Sequence, residues 1–246
     1  MRHKGYFLLI LLLIGVATSC WAANSAIQFN AAPANEYIMM GTNQFNPLFG
    51  GATGLSFEGW IKPSSFAGVG SRNIIFNAGL SGSTVALFVC LRDNGLLQVG
   101  GRSGVADAVF QNVISPAAVG PLNSWVHVAG VLNFAAGQKS VKAYVNDQLV
   151  QQAVPPAINF ANNAYVTNPA PPVGTNDTIG GNPAVGTFDA FLGQVEEFKV
   201  WTYARTQAQI QADMYKDLSL PQANLAAYWK FDTGAGLTAF DSSTHG

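Results

Sequence analysis

The sequence predicts an all-β protein, an antiparallel jelly-roll β-sandwich with one short helix near residues 206–216. Three observations carry this expectation. Short runs rich in Val, Ile and Phe follow one another closely, each bounded by Gly, Pro, Asn or Asp, as strands and their turns require. Two hairpin signals, Asp93-Asn94-Gly95 and Asn146-Asp147, sit between such runs and supply residues that tolerate positive φ. The alternating helices that a parallel α/β sheet needs are absent from the pattern.

The chain opens with Arg2, His3 and Lys4, followed by the apolar run 6–17, YFLLILLLIGVA. A basic start before an apolar stretch of about 12 residues is the pattern of a secretory signal, and it is short of the ~20 residues that span a bilayer. Residues 1–22 are read as that signal, cleaved after Ala22. Ala17-Thr18-Ser19-Cys20 also resembles a bacterial lipobox without its usual first Leu, which would make Cys20 a lipid anchor and the only link to a membrane. Either route places the mature chain outside the cell or on its surface. Residues 24–218 then form the sandwich and residues 219–246 a C-terminal element.

In order, strands are expected at 26–29, 37–40, 55–62, 73–80, 85–92, 96–101, 108–114, 125–134, 140–145, 148–154, 177–181, 191–201 and 227–231. Pro155-Pro156 ends one hairpin and begins a Pro, Asn and Ala-rich stretch, 155–176. A connection of that length without its own structure is usually functional or mobile. Thr206 and Gln209 make a capping box ahead of Ile210 and Met214, which starts the helix.

Charged residues are only 10% of the chain. Loss of Arg2 and Lys4 with the signal takes Lys+Arg from 12 to 10 while Asp+Glu stays at 13, a mature charge of −3. No basic stripe remains, which argues against nucleic acid and anionic membrane as partners. Cys90 lies in VALFVCLR and is read as buried and inert. With no disulfide framework, stability has to come from the core.

Four segments come in an order that resembles the laminin-G-like domains of the concanavalin A-like lectin/glucanase superfamily, including its pentraxin-like branch. They are AIQFN with EYIMM, then LSFEGWIKP, then WVHVA with KAYVNDQLV, and finally IGG followed by FLGQVEEFKVWTYART. The resemblance covers most of residues 26–217. The tail, LAAYWKFDTGAGLTAFDSSTHG, is similar to the segment that opens many such domains. It is expected either to supply the missing first strand from the C-terminal end or to begin a second repeat, truncated at Gly246.

The glucanases of this superfamily carry three alternating acids on one strand, and the chain has no such strand. Glu196 and Glu197 are adjacent, so a regular strand would point them to opposite faces. Glu58 is a lone acid in a Trp-containing strand and is read as edge or rim polarity; His127 is read as a structural histidine, because no Ser or Cys nucleophile motif accompanies it. No H-E-x-x-H, paired C-x-x-C or G-x-S-x-G occurs. No catalytic residue is therefore assigned. The pentraxin-like resemblance implies calcium, but Asn182-Pro183-Ala184 replaces that branch's acidic cluster. Asp177, Asn182 and Asp189 are left as the candidate ligands of a poorer site, and the same residues are read first as turn formers. Trp60, Trp125 and Trp201 fall on strand positions of the family and are read as core.

What the resemblance implies is a secreted or surface-tethered, non-catalytic module that recognises carbohydrate or an extracellular protein. The loops 63–72, 93–95, 155–176 and 182–189 are the expected surface, since loops on a rigid sandwich carry function. A glycoside hydrolase or lyase would need converging carboxylates. A structural adhesion or spacer domain would need none.

Overall fold

The computed structural model describes residues 26–30, 36–66, 72–79, 85–169, 176–181, 190–232 and 239–245. The signal at 1–22, with Cys20, lies outside the described residues. Among the described residues, no helix is long and apolar enough to cross a membrane.

The described residues form thirteen strands and two helices, in order β1 (Ile27–Phe29), β2 (Ile38–Thr42), α1 (Phe45–Phe49), β3 (Gly54–Pro63), β4 (Arg72–Ala78), β5 (Leu87–Arg92), β6 (Leu96–Gly101), β7 (Gln111–Ala118), β8 (Val126–Asn133), β9 (Ser140–Val145), β10 (Gln148–Ala153), β11 (Asn176–Ile179), β12 (Gly193–Trp201), α2 (Gln207–Asp213) and β13 (Leu225–Trp229). They form two antiparallel sheets. One runs β1-β12-β3-β8-β9-β10, with β13 also paired to β12. The other runs β2-β11-β4-β5-β6-β7.

Alternation decides what each strand buries. On β8, Val126, Val128 and Leu132 enter the main core, while Ala129 and Val131 turn outward to a smaller cluster with Ile210 of α2. On β5, Leu87, Val89 and Leu91 face in, and Phe88 and Cys90 face out. Each large apolar side chain so buried contributes roughly 1.5–3 kcal/mol. The two sheets meet through aromatic contacts: Phe57 stacks on Phe76 at 5.1 Å and takes the edge of Phe198 at 4.9 Å. Gly59 permits this, because a Cβ there would lie 2.3 Å from Cδ1 of Phe198.

α1 has no counterpart among the sequence expectations. Its five residues, FNPLF, are too few to show a helical period. Pro47 lies in the first turn, where backbone N–H groups have no partner within the helix. Phe45 and Phe49, four apart, stack at 5.2 Å and are both buried.

β13 pairs with residues 198–201 of β12, on the same side that β1 occupies along 193–195. Its Trp229 enters the main core and meets Phe45 edge-on at 6.1 Å. The outer edge of β13 is covered in turn. Asp241 accepts from the backbone N–H of Tyr228 and of Ser243, each at 2.8 Å. The N–H of Ser242 donates to the Tyr228 carbonyl at 2.7 Å.

The loops divide between two ends of the sandwich. Residues 63–66 lie at the end where β3 finishes: the N–H of Ser64 donates to Leu192 O, and Asn73 Nδ2 donates to Phe66 O. The turn 93–95 and the start of β4 lie there too. Residues 155–169 lie at the opposite end, where β3 begins, through bonds between Tyr165 and residues Gly51 and Ala52. The described parts of 63–72 and the turn 93–95 therefore share one end, while the described part of 155–176 lies at the other, so these three do not form the one surface expected of them. The stretch 155–169 is also firmly anchored. The buried Asp107 accepts from Ser103 N and from Ala161 N, and Asn162 Nδ2 donates to Ser103 O at 3.2 Å. Residues 67–71, 170–175 and 182–189 lie outside the described residues.

Candidate functional site

Two outward faces gather polar side chains, one on each sheet. On the seven-stranded sheet they gather beneath α2. Glu58 on β3 is 1% exposed and pairs with Arg205, whose other nitrogen reaches Asp213. Trp201 Nε1 donates to Glu58 Oε1 at 3.1 Å, and the Arg205 guanidinium lies 4.3 Å over the Trp201 ring. Lys199 Nζ sits 3.4 Å from Glu197 Oε2 and donates to the carbonyls of Asp213 and Lys216. Trp60 Nε1 donates to Met214 O, and Arg205 to Gln209 O. Lys199 and Trp60 of the sheet, together with Arg205, thus meet carbonyls in and just beyond α2, whose C-terminal dipole favours positive charge.

Burial dominates the ionisation of this cluster. It pushes the Glu58 carboxyl above its ordinary range, against the pull of Arg205 and Lys199. It pushes His127 down to about 3, helped by the charges of Lys199 and Arg205. Among the described residues His127 Nδ1 has no hydrogen-bond partner, and its ring meets Trp60 edge-on at 5.3 Å. Glu58 is therefore central and sealed, not edge polarity.

A bulge reshapes the acidic pair. The register of β12 against β3 shifts between Glu196 and Lys199, and Glu197 has φ 55°. One extra residue there breaks the alternation. Glu196 pairs with Trp60, and Glu197 Oε2 accepts from the Tyr228 hydroxyl, so both glutamates lie on the outer side. Burial and the neighbouring Glu197 raise Glu196 to about 7. These acids face cations, a tyrosine and a covering helix, and Glu58, Glu196 and Glu197 are all buried.

The tryptophans also fall differently from expectation. Trp201 is buried, but under Tyr203 and Leu218 on the outer face, not between the sheets. Trp60 and Trp125 are half-buried. Trp229 of the tail enters the main core.

On the six-stranded sheet, the outward residues of β4 to β7 form an open patch. Phe88 and Phe110 meet edge-on at 5.8 Å, and Arg72 lies 5.8 Å over the Phe88 ring. Arg92 Nη1 donates to Gln98 Oε1 at 3.2 Å, and Gln98 Nε2 donates to Asn112 Oδ1 at 3.1 Å. A Cβ at Gly100 would lie 2.6 Å from Cζ of Phe110, so that glycine seats the ring. Arg72 is exposed, and Arg92, Phe110 and Asn112 are half-buried. Phe88, Gln98 and Cys90 form the layer beneath. Cys90 is buried as expected, but in this outer cluster with Ile74 and Phe88. Only Arg72 and the 93–95 turn were legible as loop neighbours; the rest needs the register of four strands.

Of the three candidate calcium ligands, Asp177 alone lies among the described residues. Asp177 is 1% exposed, and its two oxygens accept the backbone N–H groups of Phe45 and Gly79. Burial raises it to about 6 against those bonds. It ties α1 to the end of β4 and does not face a cation from a loop. Asn182 and Asp189 lie outside the described residues. No group of three His, Cys, Asp or Glu that could hold a metal ion occurs among the described residues. An open groove of about 620 Å³ lies where β2 faces β13, lined by Met39, Met40, Leu48, Ala226 and Asp241 among others. Its one described carboxylate is already held by the tail backbone.

Several solved structures share this fold. A candidate carbohydrate-binding protein from Bacteroides ovatus is 21% identical, with a TM-score of 0.61 over 89% of this chain and 55% of its own. The chain thus spans little more than half of that protein. The CBM40 domain of Ruminococcus gnavus IT-sialidase is 14% identical, with a TM-score of 0.54 over 78% of this chain and 97% of its own. The heptameric SAP-like pentraxin of Limulus polyphemus is 16% identical, with a TM-score of 0.52 over 77% and 81%. A search of curated protein sequences finds no match. A laminin-G-type family model, described as concanavalin A-like lectin/glucanases superfamily, matches residues 34–211. With most of its length matched and the paired antiparallel sheets in place, the chain belongs to the concanavalin A-like lectin/glucanase superfamily.

Proposed function

We propose that this domain is a non-catalytic carbohydrate-binding module, exported through residues 1–22. Its sugar site is the outer face of the six-stranded sheet together with the loops at the β3-finishing end. The observation that carries this reading is the patch of Arg72, Arg92, Phe110 and Asn112 over a supporting layer of Phe88 and Gln98. An aromatic ring beside planar hydrogen-bonding groups suits a sugar, which offers an apolar ring face and a rim of hydroxyls. The carbohydrate-binding descriptions of the Bacteroides and Ruminococcus structures support the same class of ligand.

A hydrolytic role is disfavoured by the carboxylates themselves. Glu58 is sealed against Arg205, and Glu197 is held by Lys199 and Tyr228. A glycosidase needs two carboxyl groups flanking an accessible bond.

A glycan array on the mature chain tests the reading, with and without added calcium. Binding that weakens on Phe110→Ala or Asn112→Ala, and that survives a chelator, is the expected result. Binding unchanged by both substitutions would move the site elsewhere.

A further inference from the structure

The charges on this patch narrow the class of sugar. Arg72 on β4 and Arg92 on β5 are direct cross-strand partners. Like charges placed opposite one another on a sheet are destabilising. Elsewhere the described cations near carboxylates are neutralised: Arg205 by Glu58 and Asp213, Lys199 by Glu197, Lys216 by Asp213, Lys230 by Asp217. Neither Arg72 nor Arg92 forms an ion pair among the described residues. The chain as a whole carries a net charge of −1, so this local excess of positive charge is not a general property of its surface.

Both guanidinium groups are also held in place. Arg72 lies over Phe88, where the ring face attracts a cation. Arg92 is fixed by Gln98 Oε1, and Gln98 is oriented by Asn112 Oδ1, which takes the amide N–H and leaves the carbonyl for the arginine. A guanidinium has five N–H donors in a planar fork that matches carboxylate and sulfate oxygens, and the bond to Gln98 uses one nitrogen of Arg92. Two ordered forks, neither ion-paired among the described residues, beside an aromatic ring form a receptor for an anion attached to a ring.

Resting on the reading that this face is the sugar site, we propose that its ligand is an acidic glycan. Arg72 and Arg92 take the carboxylate or sulfate, and Phe110 packs against the sugar ring. The test is titration calorimetry of the full mature chain with matched probes. These are lactose, 3′-sialyllactose and a uronate oligomer as carboxylates, and a sulfated lactose for the sulfate arm. At least one acidic probe should bind about tenfold or more tighter than lactose, since a charge-assisted hydrogen bond contributes about 1.5–3 kcal/mol. That preference should fall about tenfold with Arg72→Gln or Arg92→Gln, without loss of thermal stability since the like-charge pair is relieved, and should weaken with added salt. Which arm binds identifies the anion. Equal binding of lactose and the acidic probes, indifferent to both arginine substitutions but weakened by Phe110→Ala, would overturn the acidic preference and leave the sugar face standing. No binding of any probe would overturn both.

Discussion

Glu58 and Arg205 form an ion pair with side chains 1% and 2% exposed, closed between the seven-stranded sheet and α2. Each charge depends on the other, because removing one partner of a buried pair costs about 3–5 kcal/mol while replacing both by apolar groups is often neutral. Arg205→Met should therefore lower stability by about 3 kcal/mol in urea denaturation, and the double variant Glu58→Leu with Arg205→Met should recover most of it. If the double variant were as unstable as the single one, the loss would come from packing of the Arg205 stem on Trp201.

Two buried groups on that face should give opposite slopes of stability with pH. His127 has its folded pKa lowered to about 3 from an ordinary 6.5. The unfolded chain binds the proton first, so the stability it contributes is complete above 6.5 and is lost as pH falls toward 3. Glu196 has its folded value raised to about 7 from an ordinary 4.5. Its contribution is complete below 4.5 and is lost as pH rises toward 7. Melting temperatures from pH 3 to 8 should show Glu196→Gln reducing the fall on the neutral side, to which the raised Asp177 also contributes, and His127→Gln reducing the fall on the acid side.

The tail should be indispensable to the sandwich. A chain ending at Leu218 leaves residues 198–201 of β12 without their partner and removes Trp229 from the core. An unpaired strand edge beside exposed apolar surface favours association. This shortened chain should elute from a sizing column as aggregate or fail to accumulate. Asp241→Ala is a milder version, loosening the cover over Tyr228 at a cost of about 1 kcal/mol by chemical denaturation.

Gly59→Ala should destabilise by about 1–3 kcal/mol, the usual range for overpacking. The added methyl would meet the Phe198 ring, which is already packed against Phe57 and Phe231. Thermal melts would read the effect. A neutral outcome would mean that the ring can shift without losing its neighbours.

The strands were legible because turns and alternation are local signals. Every expected strand matches a described one within a few residues, and Thr206 with Gln209 builds the capping box foreseen for α2. The faces were harder to read. Glu196 and Glu197 were expected to diverge, but a single bulge residue reverses one side chain, and no local pattern announces it. Glu58 looked like an edge acid because its partner Arg205 is 147 positions away. The candidate patch was nearly invisible for the same reason, since Arg72, Arg92, Gln98 and Asn112 lie on four strands and only register brings them together. The sequence left the tail open between a strand of this sandwich and the start of another repeat; long-range pairing to β12 makes its Trp229 core.

The sharing of β12 between β1 and β13 sets a timetable for folding. A ribosome delivers residues 27–29 and 193–201 well before 225–229, so the long side of β12 stays half-open while the rest of the sandwich could already have collapsed. The sheet is completed only when almost the whole domain has emerged.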